Sequence, residues 1–177
     1  MIIVGQSIIL LSNIAVVVHN RLGARFKNVY IISGLYILWS VFRICAYALK
    51  YPYLCMVSEP AFYLAQYLFA YRYHKAAYEM PYMLNGDLVP EGGITFFSKA
   101  GTKWTMAILN VTVPCFCNYV YSLWESTPQE NKNDISKHLL VGWAVCTNVE
   151  LVLILSSDIL LLHAVFKIRS QMKDRED

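Results

Sequence analysis

The chain has 177 residues, of which 57% are hydrophobic and 15% charged, whereas an average soluble domain carries about 25% charged residues. Its 15 basic and 12 acidic side chains would coat a water-soluble body of this size poorly. The net charge of +3 is dispersed, with no basic run interleaved with stacking aromatics, which argues against nucleic acid as a partner. Charge is also unevenly placed: residues 1–18 carry none, while residues 167–177 carry seven.

The first apolar segment, 2–18, lacks the basic start of a secretory signal and exceeds the usual apolar core of about 7–15 residues, so it reads as a retained span. A basic linker, 19–27, leads to a second apolar segment, 29–49, which contains Arg43. Linker 50–60 holds Tyr51, Tyr53 and Ser58-Glu59-Pro60, and a third segment follows at 61–78. Linker 79–103 is rich in turn signals (Pro81, Asn85-Gly86, Pro90, Gly92-Gly93). Its apolar 94–97 stretch, beside Lys99, is suited to dipping into a membrane interface. A fourth segment, 104–124, bracketed by Trp104 and Trp124, is followed by linker 125–138 and a fifth segment, 139–166. Each is long enough, at about 1.5 Å per residue, to approach or cross roughly 30 Å of hydrocarbon. No repeat or low-complexity tract marks a second domain. The expectation is an all-α integral membrane bundle of about five transmembrane helices, forming a single domain.

Orientation follows from the basic residues. Arg21, Arg25, Lys27, Arg72, Lys75, Lys99, Lys103, Lys167, Arg169, Lys173 and Arg175 fall in linkers one and three, the adjoining end of the third segment (Arg72, Lys75) and the tail, against Lys50, Lys132 and Lys137 in linkers two and four. This bias predicts an outside N-terminus and a cytosolic or matrix-side C-terminus. Tyr51, Tyr53, Tyr73, Tyr78, Tyr82, Trp104 and Trp124 lie at span ends, where amphipathic rings favour the headgroup layer.

Three ionisable residues fall within spans: Arg43, Glu150 and Asp158. A charge near mid-bilayer costs roughly 2.5–3.5 kcal/mol on an insertion scale, so each should face the bundle interior and find a partner. Counting from the midpoints of their oppositely directed spans, Arg43 lies roughly 6 Å and Glu150 roughly 3 Å toward the outside. The matched heights predict an Arg43–Glu150 ion pair. Asp158 is about 80° around the helix from Glu150, within reach of the same groove. A proton or ion relay needs groups across the full thickness, so a structural polar network is expected here. Asn110, Pro114, Asn118 and Tyr121 form one stripe of span four, and Pro114 removes a donor from that helix. Asn110 and Asn118 therefore join the expected network, satisfying the carbonyl that Pro114 frees.

His19, His74 and His163 all fall near the basic ends of spans, and a haem would need two of them at one depth on facing helices. Plain interfacial residues are the expectation. The five cysteines lack metal-site spacing and read as small packing groups. No HExxH, Ser-His-Asp set, Gly-rich phosphate loop or paired-Cys zinc pattern occurs. No catalytic residue, cofactor or metal is therefore expected. Arg72, Lys75, Lys99, Lys103, Lys167 and Arg169 form the candidate surface for anionic lipid or a cytosolic protein.

The basic linker after span one, Arg43 late in span two, Ser58-Glu59-Pro60 before span three, the exit Tyr73-His74-Lys75-Ala76-Ala77 with Pro81, and the final Val165-Phe166-Lys167-Ile168-Arg169 form one outline. It resembles the first five spans of the seven-helix family of plant tobamovirus-multiplication proteins and their lysosomal orphan-receptor-like relatives. The chain supplies five spans where that family has seven, and Tyr71-Arg72 stands where the family carries an acidic residue. The resemblance implies a non-catalytic endomembrane scaffold engaging small GTPases or other membrane proteins. The expected function is thus a non-enzymatic scaffold or receptor-like interaction protein of an endomembrane or organellar inner membrane. An accessory subunit of a larger membrane complex, such as a respiratory-chain assembly, is the alternative. A transporter, channel or redox carrier using Arg43, Glu150 and Asp158 is the third reading.

Overall fold

The computed structural model describes residues 2–23, 27–88, 95–96, 99–126 and 132–173. Pro90, Gly92-Gly93, Ile94 and Phe97 of the third linker lie outside the described residues, as do Arg25 and Arg175. Five α-helices account for nearly all of the described chain: α1 (Ile2–Gly23), α2 (Lys27–Leu49), α3 (Cys55–Asn85), α4 (Ala100–Ser126) and α5 (Lys132–Lys173). No strand occurs among the described residues. Four of the helices, α1, α2, α4 and α5, are long and apolar enough to cross a membrane.

The exception is α3. At 31 residues it has the length, but Gln66, Arg72, His74 and Lys75 break up its apolar surface. Its position explains the composition. Among the described residues α3 packs against α2, α4 and α5, α4 packs against α5, and α1 packs against α2 alone. A helix sheathed by its neighbours can place polar side chains such as Glu59 and His74 against protein partners, while Arg72 is exposed toward its basic end. Small residues let those neighbours approach: Ala65 and Ala77 of α3 and Ala164 of α5 are fully buried. Tyr67, Ala70 and Tyr71 of α3 with Leu160 of α5 form the core cluster, against which Met106 and Ala107 of α4 pack.

The helix ends follow local chemistry. The last turn of α2 closes with Tyr51 N–H donating to Ala46 O at 3.1 Å around Lys50, which takes a positive φ of 52°. Pro52 then opens a single 3-10 turn, Pro52–Leu54, that hands the chain to α3. At its other end α3 closes around Gly86 (φ 75°), with Asp87 N–H donating to Tyr82 O at 2.8 Å. The Asn85-Gly86 turn is therefore a helix terminus, whereas Pro81, read as a loop signal, lies inside α3. So do Glu59 and Pro60, which puts the start of this helix six residues before the expected 61.

Those two prolines have consequences for packing. A proline cannot donate to the carbonyl four residues earlier, so Pro60 frees Met56 O and Pro81 frees Ala77 O. The Cys115 thiol of α4 donates to Met56 O at 3.7 Å, and Gln171 Nε2 of α5 donates to Ala77 O at 3.1 Å. Both openings in the α3 ladder are thus filled by neighbouring helices, as apolar surroundings require. The expected case, Pro114 in α4, differs: Asn118 Nδ2 donates to Pro114 O at 2.8 Å and Asn110 Nδ2 to Met106 O at 2.8 Å. Each asparagine bonds the backbone of its own helix one turn back.

Cross-helix contacts fix the directions. Trp39 meets Phe62 with centroids 4.6 Å apart and Arg43 pairs with Glu59, Tyr67 O–H donates to Lys103 O at 3.3 Å and Cys115 Sγ to Met56 O at 3.7 Å, and Cys117 Sγ meets Thr147 Oγ1 at 4.0 Å while the Tyr121 ring lies 6.1 Å from that of Trp143. Consecutive helices from α2 onward are therefore antiparallel. Arg72, Lys75, Lys99, Lys103, Lys167 and Arg169 gather at one end of the bundle, Lys50 and Lys137 at the other.

Candidate functional site

At the end of the bundle that carries Lys50, the helices diverge around a cavity of about 610 Å³. α2 contributes Arg43 and Tyr47, the turn after it Lys50, α3 contributes Cys55 and Glu59, α4 contributes Cys117, Asn118, Tyr121 and Glu125, and α5 contributes Trp143, Thr147 and Glu150. The cavity therefore contains three carboxylates, two cations and three aromatic rings in an otherwise apolar bundle.

Arg43 pairs with Glu59, not with Glu150. The expected pair fails on packing order rather than on depth. The backbones of α2 and α5 do not approach each other among the described residues, because α3 stands between them. The nearest acid is thus on α3, where Glu59 lies in the second turn facing α2. The guanidinium is positioned further by Cys55 Sγ, 3.9 Å from Nη1, and by the Tyr47 ring, whose centroid is 5.4 Å away. Glu150 instead has the Tyr63 hydroxyl of α3 and the Cys117 thiol of α4 as its polar neighbours. It lines the same cavity as Arg43, so both residues of the expected pair face one space with different partners.

Asp158 is separate from this group. It lies on the exposed side of α5 and accepts a hydrogen bond from Gln66 Nε2 of α3 at 3.1 Å. Asn110 is 1% exposed but turned to its own backbone, and Asn118 reaches the cavity wall. The expected network is therefore a cavity cluster (Arg43, Asn118, Glu150) plus two local sites (Asn110, Asp158). The sequence reading did not pick out Glu59, Tyr63, Cys117 or Thr147 as members of the cluster. Glu59 was visible as an acid but assigned to a loop.

At the opposite end His74 of α3 and His163 of α5 lie at one depth on facing helices. Their rings stack at 5.8 Å with 25° between planes, and Tyr78 Oη lies 3.2 Å from His163 Nδ1. Stacked faces do not aim two ring nitrogens at a common centre, and His19 is on α1, which reaches neither. Among the described residues no group of three or more His, Cys, Asp or Glu is placed to hold a metal.

The basic surface is divided in its contacts. Lys75 Nζ pairs with Glu79 at 3.4 Å, Lys167 lies over the Tyr78 ring, and Lys103 lies between the rings of Tyr71 and Trp104, with Nζ 5.4 and 5.1 Å from their centroids. Arg72, Lys99 and Arg169 are exposed. Of the aromatic residues expected at the membrane interfaces, Tyr51, Tyr53 and Trp104 are exposed at or beside helix ends, Tyr73 is exposed but lies well inside α3, and Tyr78 is occupied by His163 and Lys167.

No family model, no curated protein and no solved structure matches this chain.

Proposed function

We propose that the chain is a non-catalytic, receptor-like integral membrane protein, crossing the bilayer with α3 as a fifth, enclosed span, that accepts a small polar ligand in the cavity between α2, α3, α4 and α5. The observation that carries this reading is the cavity itself. Its volume falls in the range of about 300–1,000 Å³ typical of ligand sites. Its lining also combines fixed charges with rings, which suits orientation of a ligand rather than lipid solvation. With the basic end on the cytosolic side, the cavity opens toward the lumen or exterior. The basic face then meets cytosolic partners and anionic lipid. The outline shared with the tobamovirus-multiplication family points the same way, toward an endomembrane protein without chemistry of its own. Transport is less well supported, since Asp158 and Glu150 have separate partners and do not line one path.

Native mass spectrometry of the protein extracted from its own membrane tests the reading. A retained small-molecule adduct is expected, and Thr147→Trp, which fills the cavity, should abolish it while leaving the melting temperature within a few degrees. Absence of any such adduct from the wild type, or its persistence in Thr147→Trp, would overturn the ligand site.

A second reading, an accessory subunit of a larger membrane assembly, is favoured by one observation. α1 is apolar along its length, packs on α2 alone, and none of residues 3–20 is buried. That face is available to another membrane protein.

A further inference from the structure

A second concavity, of about 520 Å³, lies between α2 and α4 and is floored by α3. It shares no lining residue with the polar cavity and lies toward the basic end of the bundle. α2 and α4 have no direct contact among the described residues, so a trough is left where α3 comes to the surface. Its floor is the stripe Leu64, Leu68, Arg72, at successive four-residue intervals along α3. Its walls are Ile31 and Ile32 of α2 and Ala107, Ile108 and Val111 of α4. From Lys103 to Val111 the groove follows α4 for about 12 Å.

The charge in this groove is one-sided. Arg72 and Lys103 close one end, no carboxylate lines it, and the remainder is aliphatic apart from Trp104 and Thr112. Trp104, 62% exposed, stands beside Lys103 at that end, where an indole marks the headgroup layer of a bilayer. Lys103 is held in place through its own backbone, whose carbonyl accepts from the buried Tyr67 hydroxyl, and through the Tyr71 ring beneath its ammonium.

We propose that this groove is a binding site for an anionic phospholipid, with an acyl chain along the Leu64–Leu68 floor and the phosphate between Arg72 and Lys103. Charge complementarity selects the occupant. A zwitterionic lipid would fill the apolar trough equally well, but its headgroup cation would meet two fixed positive charges. Basic pockets between helices at the positive side of a bundle are suited to anionic headgroups, at about 1 kcal/mol per Lys or Arg. Each charge should thus contribute about a fivefold preference.

The test uses the full chain in detergent, titrated with palmitoyl-oleoyl phosphatidylglycerol and with phosphatidylcholine of the same acyl chains, and read by native mass spectrometry and melting temperature. Phosphatidylglycerol is expected to bind about tenfold or more tightly than phosphatidylcholine. Lys103→Gln should reduce that preference about fivefold, and Arg72→Gln with Lys103→Gln should abolish it. Ala107→Trp, which fills the groove while keeping both charges, should weaken both lipids and provides an independent variant if loss of Arg72 impairs folding. Equal affinity for the two lipids, an unchanged preference in Lys103→Gln, or full lipid binding by Ala107→Trp would overturn the proposal. So would binding of glycerol 1-phosphate as tight as that of the lipid, because the groove would then contribute nothing.

Discussion

α1 and α3 are opposites in composition and in position. α1 has no charged residue before its last turn, and along one face Val4, Ile8 and Leu11 are each more than 60% exposed on the bundle surface. α3 carries Glu59, Gln66, Arg72, His74, Lys75 and two prolines, yet it is the helix around which α2, α4 and α5 assemble. In a water-soluble bundle the more polar helix would be the peripheral one. Here the order is inverted, the arrangement that suits a bundle surrounded by lipid, where an apolar exterior is favoured and polar groups are satisfied inside protein. Hydropathy therefore detects the outer helices best and the central one worst.

The strongest challenge to this comparison is removal of a polar group from the inner helix. Glu59→Leu removes the carboxylate paired with the Arg43 guanidinium inside the cavity, and a loss of about 2–3 kcal/mol in unfolding free energy is expected. Arg43→Leu combined with Glu59→Leu should recover most of that loss, since a matched apolar pair replaces a matched charged one. Glu150→Gln should cost clearly less, because its polar neighbours Tyr63 and Cys117 are neutral and can equally face an amide. Equal losses for Glu59→Leu and Glu150→Gln, measured by unfolding in mixed micelles, would restore the Arg43–Glu150 pair.

A smaller effect is expected where the proline-opened backbone of α3 is bridged. Gln171→Leu removes the donor to Ala77 O and leaves a carbonyl unpaired beside the core, at about 1–2 kcal/mol. Cys115→Ala at the Pro60 opening should cost less, because a thiol is a weak donor. If Pro81→Ala, which restores the backbone donor, suppresses the cost of Gln171→Leu, the bridge is established. If the two substitutions are additive, Gln171 acts through something else.

These cases show what the sequence could convey. Apolar runs located α1, α2 and α4 to within a few residues, since each is apolar over most of its length. α5 extends about seven residues beyond expectation at both ends, because the added turns, around Lys137 and Arg169, are polar and helix length is not set by hydrocarbon thickness alone. The start of α3 was masked by Tyr53, Glu59 and Pro60, whose local chemistry resembles a loop although the tertiary setting makes a helix. Depth along a span can be counted, which put Arg43 and Glu150 correctly into one space. Which helices are neighbours cannot be counted, and so the partner of Arg43 was misassigned. Gln171 and Cys115 gave no signal, because a carbonyl freed by proline names no donor.

The least effect on folding is expected at the periphery, and there the comparison is sharpest. Leu11 of α1 is 65% exposed and α1 leans on α2 alone. Leu11→Ala should therefore change unfolding free energy by less than about 0.5 kcal/mol, the usual scale for surface positions. A Leu→Ala change in a packed interior would cost about 2–5 kcal/mol. If α1 is the face by which the chain joins a larger assembly, the same substitution should shift its migration on a native gel of mild detergent extract while its own unfolding stays unchanged. A loss of more than 2 kcal/mol in the isolated chain would instead mean that α1 is packed against protein within the fold, and the inversion drawn between it and α3 would not hold.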